Sequence, residues 1–329
     1  MSTPVAVRPG FWSRLPLIRE LRQSVGWQRG MLVAGLVIIV VFLLTAAFAP
    51  FLAPYSFSQL SDENGSFGAQ LPPGGHHILG TTVGGYDVFS RVIWGSQTAV
   101  FVIAVAVALS IFAGVLLGLV SGYFGGWLDR VLVVVCDAIY AFPSLLLAIV
   151  MSIVISGGRS QLVSGVFAAA ISITVVFIPQ YFRVIRSETV RIKAEAFVES
   201  AKVIGASNAR VMFRHVLRNS TRTLPLILTL NASEAILTLA GLGFLGFGIE
   251  PTSAAEWGFD LNKSISDVAA GIWWTSVFPG TAIVLVVLGI TLVGESLNDL
   301  ADPRLRTRHR ALAASPAAAD EVDELEEAL

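Results

Sequence analysis

The chain has 329 residues, of which 54% are hydrophobic and only 14% charged, and its mean hydropathy is +0.74. Soluble domains carry about 25% charged residues, so this composition excludes a water-soluble fold and requires lipid around much of the surface. The net charge of -1 gives no sign of a nucleic-acid partner, and a single cysteine, Cys136, excludes an intrachain disulfide. We therefore predict an all-α integral membrane protein, because long apolar runs form helices in lipid.

The N-terminal segment, residues 1–30, contains five arginines and precedes an apolar run at residues 31–53. A small-residue sequence before Pro50 resembles a signal cleavage site. The apolar run is about twice as long as a signal core, however. We predict an uncleaved first transmembrane helix at residues 31–53 and an external loop at residues 54–96.

Five more apolar runs reach the roughly 20 residues that a membrane span needs, so the chain has about six spans. Together they predict a five-helix core at residues 97–300. A kink is expected at Pro143, because proline interrupts helical hydrogen bonding. The five predicted spans are residues 97–122, 129–156, 161–182, 221–247 and 272–297.

Basic residues predict the orientation. With a cytoplasmic N-terminus, 19 of the 22 lysines and arginines are cytoplasmic, and only Arg91, Arg159 and Lys263 are external. This split follows the positive-inside rule and predicts a multi-pass protein of the plasma membrane with both termini in the cytoplasm. Residues 248–271 are then external, and residues 301–329 are predicted to be a mobile cytoplasmic tail, alanine-rich and acidic from residue 311 onward.

The basic stretch at residues 183–222 is predicted to be a cytoplasmic loop that contains two short amphipathic helices. The first helix ends at Gly205, and the Ser207 hydroxyl can cap the second. The apolar residues on the first helix are Phe197, Val198, Ala201 and Ile204, and those on the second are Val211, Met212, Phe213, Val216 and Leu217.

Three functions are compatible with such a basic helix pair. A helix-turn-helix for DNA is disfavoured, because two flanking spans would keep the pair away from a groove. A basic loop on anionic lipid and a docking element whose apolar residues enter a partner's groove both remain open.

The run from Glu199 to Ser207 resembles the EAA loop of ABC importer permeases, although Ser200 replaces an alanine and Arg218 a proline of the family pattern. In that family the loop is the coupling helix that sits in a cleft of the ATPase subunit. The resemblance assigns ATPase coupling to Glu199, Ser200, Ala201, Lys202, Gly205, Ala206 and Ser207.

Further stretches resemble the dipeptide/oligopeptide/nickel branch of these permeases, and they follow one another in the family order. The segment from His77 to Arg91 is similar to LGTDxxGRDxxSR, with Thr82 and Tyr86 as departures. The other similar stretches are residues 51–55, typical of the C-type permease, residues 137–143, residues 234–258 and residues 302–306.

The resemblance implies a type I ABC importer permease fold and a transport subunit rather than an enzyme. It implies four kinds of partner: a second permease, two cytoplasmic ATPases, an external substrate-binding protein and the lipid membrane. The implied cargo is di- or oligopeptides, with nickel as the alternative. ATP and Mg²⁺ belong on the partner subunits, because this chain has no GxxxxGK[ST] phosphate loop, and we predict no cofactor here.

Asp137 and Glu234 lie within predicted spans, where a charge costs roughly 2.5–3.5 kcal/mol on insertion scales. Each residue either lines a polar substrate path or fixes helix packing. A competing hypothesis uses both as proton sites of an ion-coupled carrier or a membrane enzyme.

Two smaller motifs have simpler interpretations. Gly114, Gly118 and Gly122 form overlapping GxxxG spacings that favour close helix packing within the chain over contact with a second permease. His76 and His77 are adjacent and project differently, so we predict no metal site there.

Overall fold

The computed structural model describes residues 27–63, 65–156 and 162–301. Most of the arginine-rich N-terminal segment, the predicted turn near residues 157–160 and the tail with its landmark at residues 302–306 lie outside the described residues.

The described part of the chain is mainly helical, with one two-stranded antiparallel hairpin near the start. The hairpin pairs β1 (Ser61–Asp62) with β2 (Gly65–Ser66). The α-helices are α1 (Trp27–Ala47), α2 (Ala49–Leu52), α3 (Val88–Phe124), α4 (Gly126–Tyr140), α5 (Ser144–Ser156), α6 (Leu162–Lys193), α7 (Ala196–Val203), α8 (Asn208–Arg210), α9 (Leu217–Ser220), α10 (Leu224–Phe244), α11 (Trp257–Lys263), α12 (Ile265–Ala269) and α13 (Trp274–Ala301), with a π-helical turn at Val211–Val216 and a 3-10 turn at Thr221–Thr223.

Within the described residues, five helices (α1, α3, α6, α10 and α13) are long and apolar enough to cross a membrane. The pair α4–α5 passes the same test together but is bent by 98° at its break. The predicted count of about six spans therefore agrees with the structure if the bent pair is one span.

The first span ends earlier than the predicted residue 53. Helix α1 stops at Ala47, and α2 starts afresh with Pro50 in its first turn. Proline has no N–H to donate to the carbonyl four residues back, which belongs to Ala46. That carbonyl instead accepts a hydrogen bond from Nε2 of Gln97 at 3.4 Å.

Helix α3 starts at Val88, within the predicted external loop 54–96, and not at residue 97. Asp87 caps it by accepting a hydrogen bond from the Ser90 N–H at 2.7 Å. The first turns were missed because they contain Ser90, Arg91 and Ser96. These polar side chains are buried against protein, so hydropathy does not mark the segment as helix.

The predicted kink at Pro143 is confirmed, and it is a complete break. Helix α4 ends at Tyr140 and α5 begins at Ser144. Proline removes a donor and disfavours helical geometry in the residue before it. The span at residues 129–156 is therefore two helices rather than one.

Helix α6 continues to Lys193, past the predicted end at residue 182. The first part of the predicted loop 183–222 is thus helix. Its arginines do not stop the helix, because Arg183 and Arg186 face carboxylates on α4.

Glycines bring α3 and α6 into close contact, which confirms the prediction that they pack within the chain. A Cβ atom on Gly114 would lie 2.5 Å from Cβ of Tyr181, and one on Gly118 would lie 2.7 Å from the carbonyl oxygen of Phe182. A Cβ on Gly122 would lie 2.8 Å from the Arg186 carbonyl oxygen. Backbone atoms cannot yield, so only glycine allows this approach.

The chain is organised as two compact units. In the unit with described residues 27–39 and 288–301, α1 and α13 also meet at glycines. A Cβ on Gly35 would lie 2.8 Å from the Gly289 carbonyl oxygen, and one on Gly289 would lie 2.7 Å from Cγ2 of Ile38. The other unit, residues 40–287, contains the remaining helices.

Candidate functional site

The α6–α10 connection, residues 194–223, contains the predicted helix pair. The predicted apolar face of α7 divides in two. Val198 and Ala201 are buried, whereas Phe197 is exposed and Val203 and Ile204 keep 86% and 84% of their surface exposed. The buried half holds α7 in place, and the other half lies on the surface of the described chain.

The turn between the two short helices has the geometry of a Schellman motif. Gly205 has φ +86°, which only glycine adopts without strain. The Ala206 N–H donates to the Ala201 carbonyl at 3.0 Å, and the Gly205 N–H donates to the Lys202 carbonyl at 3.0 Å. Ser207 then caps α8 by accepting from the Arg210 N–H at 3.4 Å. The predicted helix stop and cap are both present.

The second helix contains a π-helical turn that the sequence pattern did not predict. Its i→i+5 spacing puts residues five apart on one side, so Val211 and Val216 both face inward. Together with Met212 they are buried, whereas Phe213 is exposed. This cluster includes Leu119 of α3 and Ile185 of α6, so the connection packs on both long helices.

The polar residues assigned to coupling lie on the surface. Glu199, Ser200 and Lys202 are exposed, and the Ser200 hydroxyl donates to the Ala196 carbonyl at 2.9 Å. Among the described residues no basic side chain forms an ion pair with Glu199.

Tyr123, in the last turn of α3, connects that helix to the α6–α10 connection. Its hydroxyl donates to Oδ1 of Asn208 at 3.0 Å, and the Lys202 ammonium lies 5.8 Å from its ring centroid. Nζ of Lys193 donates to the carbonyls of Gly122 at 2.9 Å and Tyr123 at 3.1 Å. These carbonyls end a helix, where a cation is stabilised.

Two ion pairs join α4 to α6. Nη2 of Arg186 lies 2.7 Å from Oδ2 of Asp129, in a partly buried pair that also includes Ser121. Nη2 of Arg183 lies 2.9 Å from Oδ1 of Asp137. Asp137, a predicted site residue, is thus paired rather than isolated.

Glu234, the other predicted span carboxylate, lies on α10 and is half-buried. In the part of the chain that the structure describes, it forms no ion pair. The described residues contain no group of three or more acidic, histidine or cysteine side chains that could hold a metal. Glu234 and Asp137 therefore belong to no such group.

The loop layer, residues 54–87 and 245–273, packs around the start of α3. Arg91 is buried there and donates from Nε to both carboxylate oxygens of Asp260, at 2.7 and 2.9 Å. Its Nη1 donates to the Phe57 carbonyl at 3.0 Å. Burial raises the pKa of Asp260, although the Arg91 guanidinium acts in the opposite direction.

Glu256 caps the start of α11. Its carboxylate accepts from the Gly258 and Phe259 N–H groups, each at 2.7 Å. Burial nevertheless raises the pKa of this carboxyl to about 8, against the lowering effect of the two N–H groups. Glu256 is therefore largely protonated at neutral pH.

His77 does not act with its neighbour His76. Its Nδ1 lies 2.9 Å from Oδ1 of Asp87, the residue that caps α3, and both side chains are buried. The backbone carbonyl of His76 accepts a hydrogen bond from the Tyr55 hydroxyl at 3.3 Å. The histidines therefore serve the packing of the loop layer.

A cavity of about 200 Å³ opens in the same layer. Tyr86, Asp260, Lys263 and Asp267 are among its lining residues. Asp267 is buried and accepts from Nε2 of Gln70. The two acidic residues that line the cavity, Asp260 and Asp267, are matched in number by the basic residues Lys263 and the nearby Arg91.

Several residues of these sites could not be selected from sequence. Arg91 falls within a predicted landmark, but its partner Asp260 is 169 residues away. Asp129, Arg186 and Tyr123 lie in or beside apolar runs. The charge and position of Asp129 and Arg186 could have indicated that they pair, because charged residues at the ends of spans require partners.

The spans, one of them broken, define a multi-span membrane protein. Residues 114–307 match the family described as binding-protein-dependent transport system inner membrane component. Residues 28–73 match the N-terminal transmembrane domain of oligopeptide transport permease C. The chain belongs to this family, the C-type permeases of ABC importers.

Relatives cover most of the chain. A dipeptide transport system permease protein from Alkalihalophilus pseudofirmus is 35% identical over 275 residues, which cover 84% of this chain and 86% of that protein. A glutathione transport system permease protein from Pectobacterium atrosepticum is 30% identical over 309 residues, with 91% and 98% covered. Another from Escherichia coli O157:H7 is 31% identical over 308 residues, with 91% and 97% covered.

Proposed function

We propose that this chain is one of two permease subunits of an ABC importer in the plasma membrane of a prokaryote. Both termini are cytoplasmic, which agrees with the placement of 19 of 22 basic residues on that side. The chain itself catalyses no reaction and holds no cofactor. ATP and Mg²⁺ are bound by two cytoplasmic ATPase subunits, and an external binding protein delivers cargo to the loop layer.

One observation carries the proposed coupling to the ATPases. Val203 and Ile204 are 86% and 84% exposed beside the rigid turn at Gly205. A soluble surface does not favour two adjacent exposed aliphatic side chains, whereas a groove in a partner does. The flanking charges of Glu199 and Lys202 then select the docking orientation rather than perform chemistry.

The proposed cargo is di- or oligopeptides. Relatives named for dipeptide and for glutathione transport support this class, since both cargoes carry an amino group and at least one carboxylate. Nickel import and an ion-coupled carrier are the competing candidates. An uptake assay separates them, because only the proposed function requires both peptide and an intact ATPase.

Gly205→Pro and Glu199→Lys test the coupling. Proline fixes φ near −65° and cannot adopt the +86° of Gly205, and lysine reverses the charge of the docking surface. Both variants should reach the membrane yet import no peptide, while ATP hydrolysis no longer responds to the binding protein. Glu295→Lys, an exposed carboxylate on α13 that lies outside both the loop layer and the α6–α10 connection, is the matched charge control. Normal transport by both coupling variants would contradict the docking assignment.

The cargo is tested by uptake of radiolabelled dipeptide and of ⁶³Ni²⁺ in cells that express the complete transporter. Peptide uptake that requires a functional ATPase supports the proposal. Nickel uptake without peptide uptake, or peptide uptake with an inactive ATPase, would favour one of the competing candidates.

A further inference from the structure

Arg183 on α6, Asp137 on α4 and Tyr140 on α4 form a charged cluster on the surface of the chain. The guanidinium lies 2.9 Å from Asp137 and its Cζ lies 4.1 Å from the Tyr140 ring centroid. The side chains of Arg183 and Asp137 keep 44% and 53% of their surface exposed. The cluster is therefore not an internal packing contact, although both helices belong to segments with the apolarity of membrane spans.

Lipid is a poor neighbour for this cluster. A charged side chain within the apolar part of a span is costly, and a pair that is half exposed keeps much of that penalty. Helix α4 also has exposed apolar residues, such as Val134, that suit lipid or another helix. The charged cluster requires water or polar protein instead.

The backbone beside the cluster leads to the same conclusion. Tyr140 is the last residue of α4, and the span turns by 98° before α5 begins at Ser144. Irregular backbone at membrane depth is tolerated where it is buried in protein or lines a water-filled cavity. Broken helices in transporters commonly border a substrate path for this reason.

We propose that Arg183, Asp137 and Tyr140 line the aqueous substrate path and form a charge-paired site that recognises the two ends of a zwitterionic peptide. Arg183 binds the carboxylate, for which the planar guanidinium is suited, and Asp137 binds the ammonium group. This inference rests on the proposed function.

When a peptide binds, Arg183 and Asp137 each exchange one ion pair for another. Without cargo, Arg183 and Asp137 satisfy each other. When a peptide with free termini separates them, each side chain gains one opposite charge from the cargo, so no charge is left unpaired. A peptide with one blocked terminus leaves one side chain unpaired and should pass more slowly.

Accessibility to a charged thiol reagent tests whether the cluster faces water. Cys136 is buried and is the only cysteine, so Cys136→Ala gives a background for single cysteines in the assembled transporter. Arg183→Cys should react with a membrane-impermeant methanethiosulfonate in inside-out vesicles. Phe112→Cys, an apolar position with 69% exposure on α3, is the matched control.

Tyr140→Cys leaves the ion pair intact, so a dipeptide should slow its reaction, and it gives a second measurement where Arg183→Cys does not assemble. Reaction of either cysteine at least tenfold faster than that of Phe112→Cys supports the proposal. Reaction rates equal to the control at both positions would overturn it, because the cluster would then face lipid or a dry interface.

Recognition of the termini is tested by uptake of a free dipeptide against its C-terminally amidated and N-acetylated forms. Arg183→Gln should reduce the preference for the free carboxylate about tenfold, the value expected for one partly exposed charged hydrogen bond. Asp137→Asn should reduce the preference for the free amine similarly. Because every strain contains the same binding protein, a changed ratio is due to the permease.

Arg130→Gln, an exposed arginine on α4, is the control and should leave both ratios unchanged. If uptake of all three peptides falls equally in the Arg183 and Asp137 variants, the pair is structural and the inference is wrong. If the wild type imports none of the peptides, the proposed cargo is wrong instead, and the thiol reaction alone decides whether the cluster lines a path.

Discussion

Arg91 and Asp260, 169 residues apart in sequence, form a buried ion pair in which one N–H group is shared by two carboxylate oxygens at 2.7 and 2.9 Å. The side chains keep only 2% and 9% of their surface exposed. The pair attaches α11 to the first turn of α3, which is why α3 begins before the apolar stretch does.

Removal of either partner should destabilise the protein by about 3–5 kcal/mol, because the other charge stays buried and unpaired. We expect Asp260→Asn and Arg91→Gln each to lower the thermal midpoint in detergent and the yield of folded protein. Fluorescence-detected size exclusion after heating measures both quantities.

The matched control for this pair is Arg191→Gln. Arg191 pairs with Glu188 on the exposed surface of α6, where ion pairs contribute little. A control effect as large as that of Asp260→Asn would show that burial is not what makes the Arg91 pair matter.

Gly118→Ala should separate α3 from α6. The new Cβ would lie 2.7 Å from the Phe182 carbonyl oxygen and 3.0 Å from the backbone nitrogen of Arg186. Forced overpacking of this kind costs about 1–3 kcal/mol. Gly165→Ala is the same change on a spanning helix, but among the described residues no atom lies closer than 3.9 Å to the new Cβ. Thermal midpoints should fall for Gly118→Ala alone, and an equal fall in both variants would mean that helix contact is not the cause.

Aspartate substitutions should distinguish the two faces of α7. Val198 is fully buried, so Val198→Asp should reduce folded protein, since an unpaired charge is placed in the core. Ile204 is exposed, so Ile204→Asp should leave the thermal midpoint unchanged and reduce copurification of the ATPase subunits at least tenfold. Loss of stability in Ile204→Asp, with the ATPases still bound, would contradict the assignment of this face to a partner.

The raised pKa of Glu256 predicts a pH dependence of stability. The folded carboxyl has a pKa of about 8, against an ordinary value of 4.5, so between these pH values the folded state holds the proton more tightly than the unfolded state does. Stability should therefore fall as pH rises from about 5 to 8 and level off above that range.

Glu256→Gln should remove this component, and its thermal midpoint should vary less with pH than that of the wild type. Glu63→Gln, an exposed carboxylate of the same layer, should keep the wild-type slope. An unchanged slope in Glu256→Gln would assign the pH dependence to another group.

Local patterns predicted a large part of this structure. Apolar run length indicated the spans, the spacing of Gly114, Gly118 and Gly122 indicated a close helix contact, and Gly205 with Ser207 indicated the turn and cap. Each of these features depends on neighbours within a few residues, so the sequence pattern contains the relevant physics.

The features that were missed depend on distant partners. Helix α6 was expected to stop before Arg183, because Arg183 begins the basic stretch that follows the apolar run. The partner of Arg183, Asp137, lies 46 residues earlier in the chain. Arg186 pairs with Asp129 across 57 residues. A basic residue beside an apolar run indicates a membrane boundary only when no carboxylate from another helix neutralises it, and a single sequence does not reveal that pairing.

Helix α3 has 37 residues, which at 1.5 Å per residue make it about 55 Å long, nearly twice the hydrocarbon thickness of about 30 Å. One of its ends is fixed to the loop layer by Arg91 and the other to the α6–α10 connection by Tyr123 and Lys193. A rigid rod of this length, rotated by about 5° around its middle, moves its two ends by about 2.4 Å in opposite directions. A rotation of α3 would therefore move the loop layer and the α6–α10 connection together, without a chain of side-chain rearrangements between them.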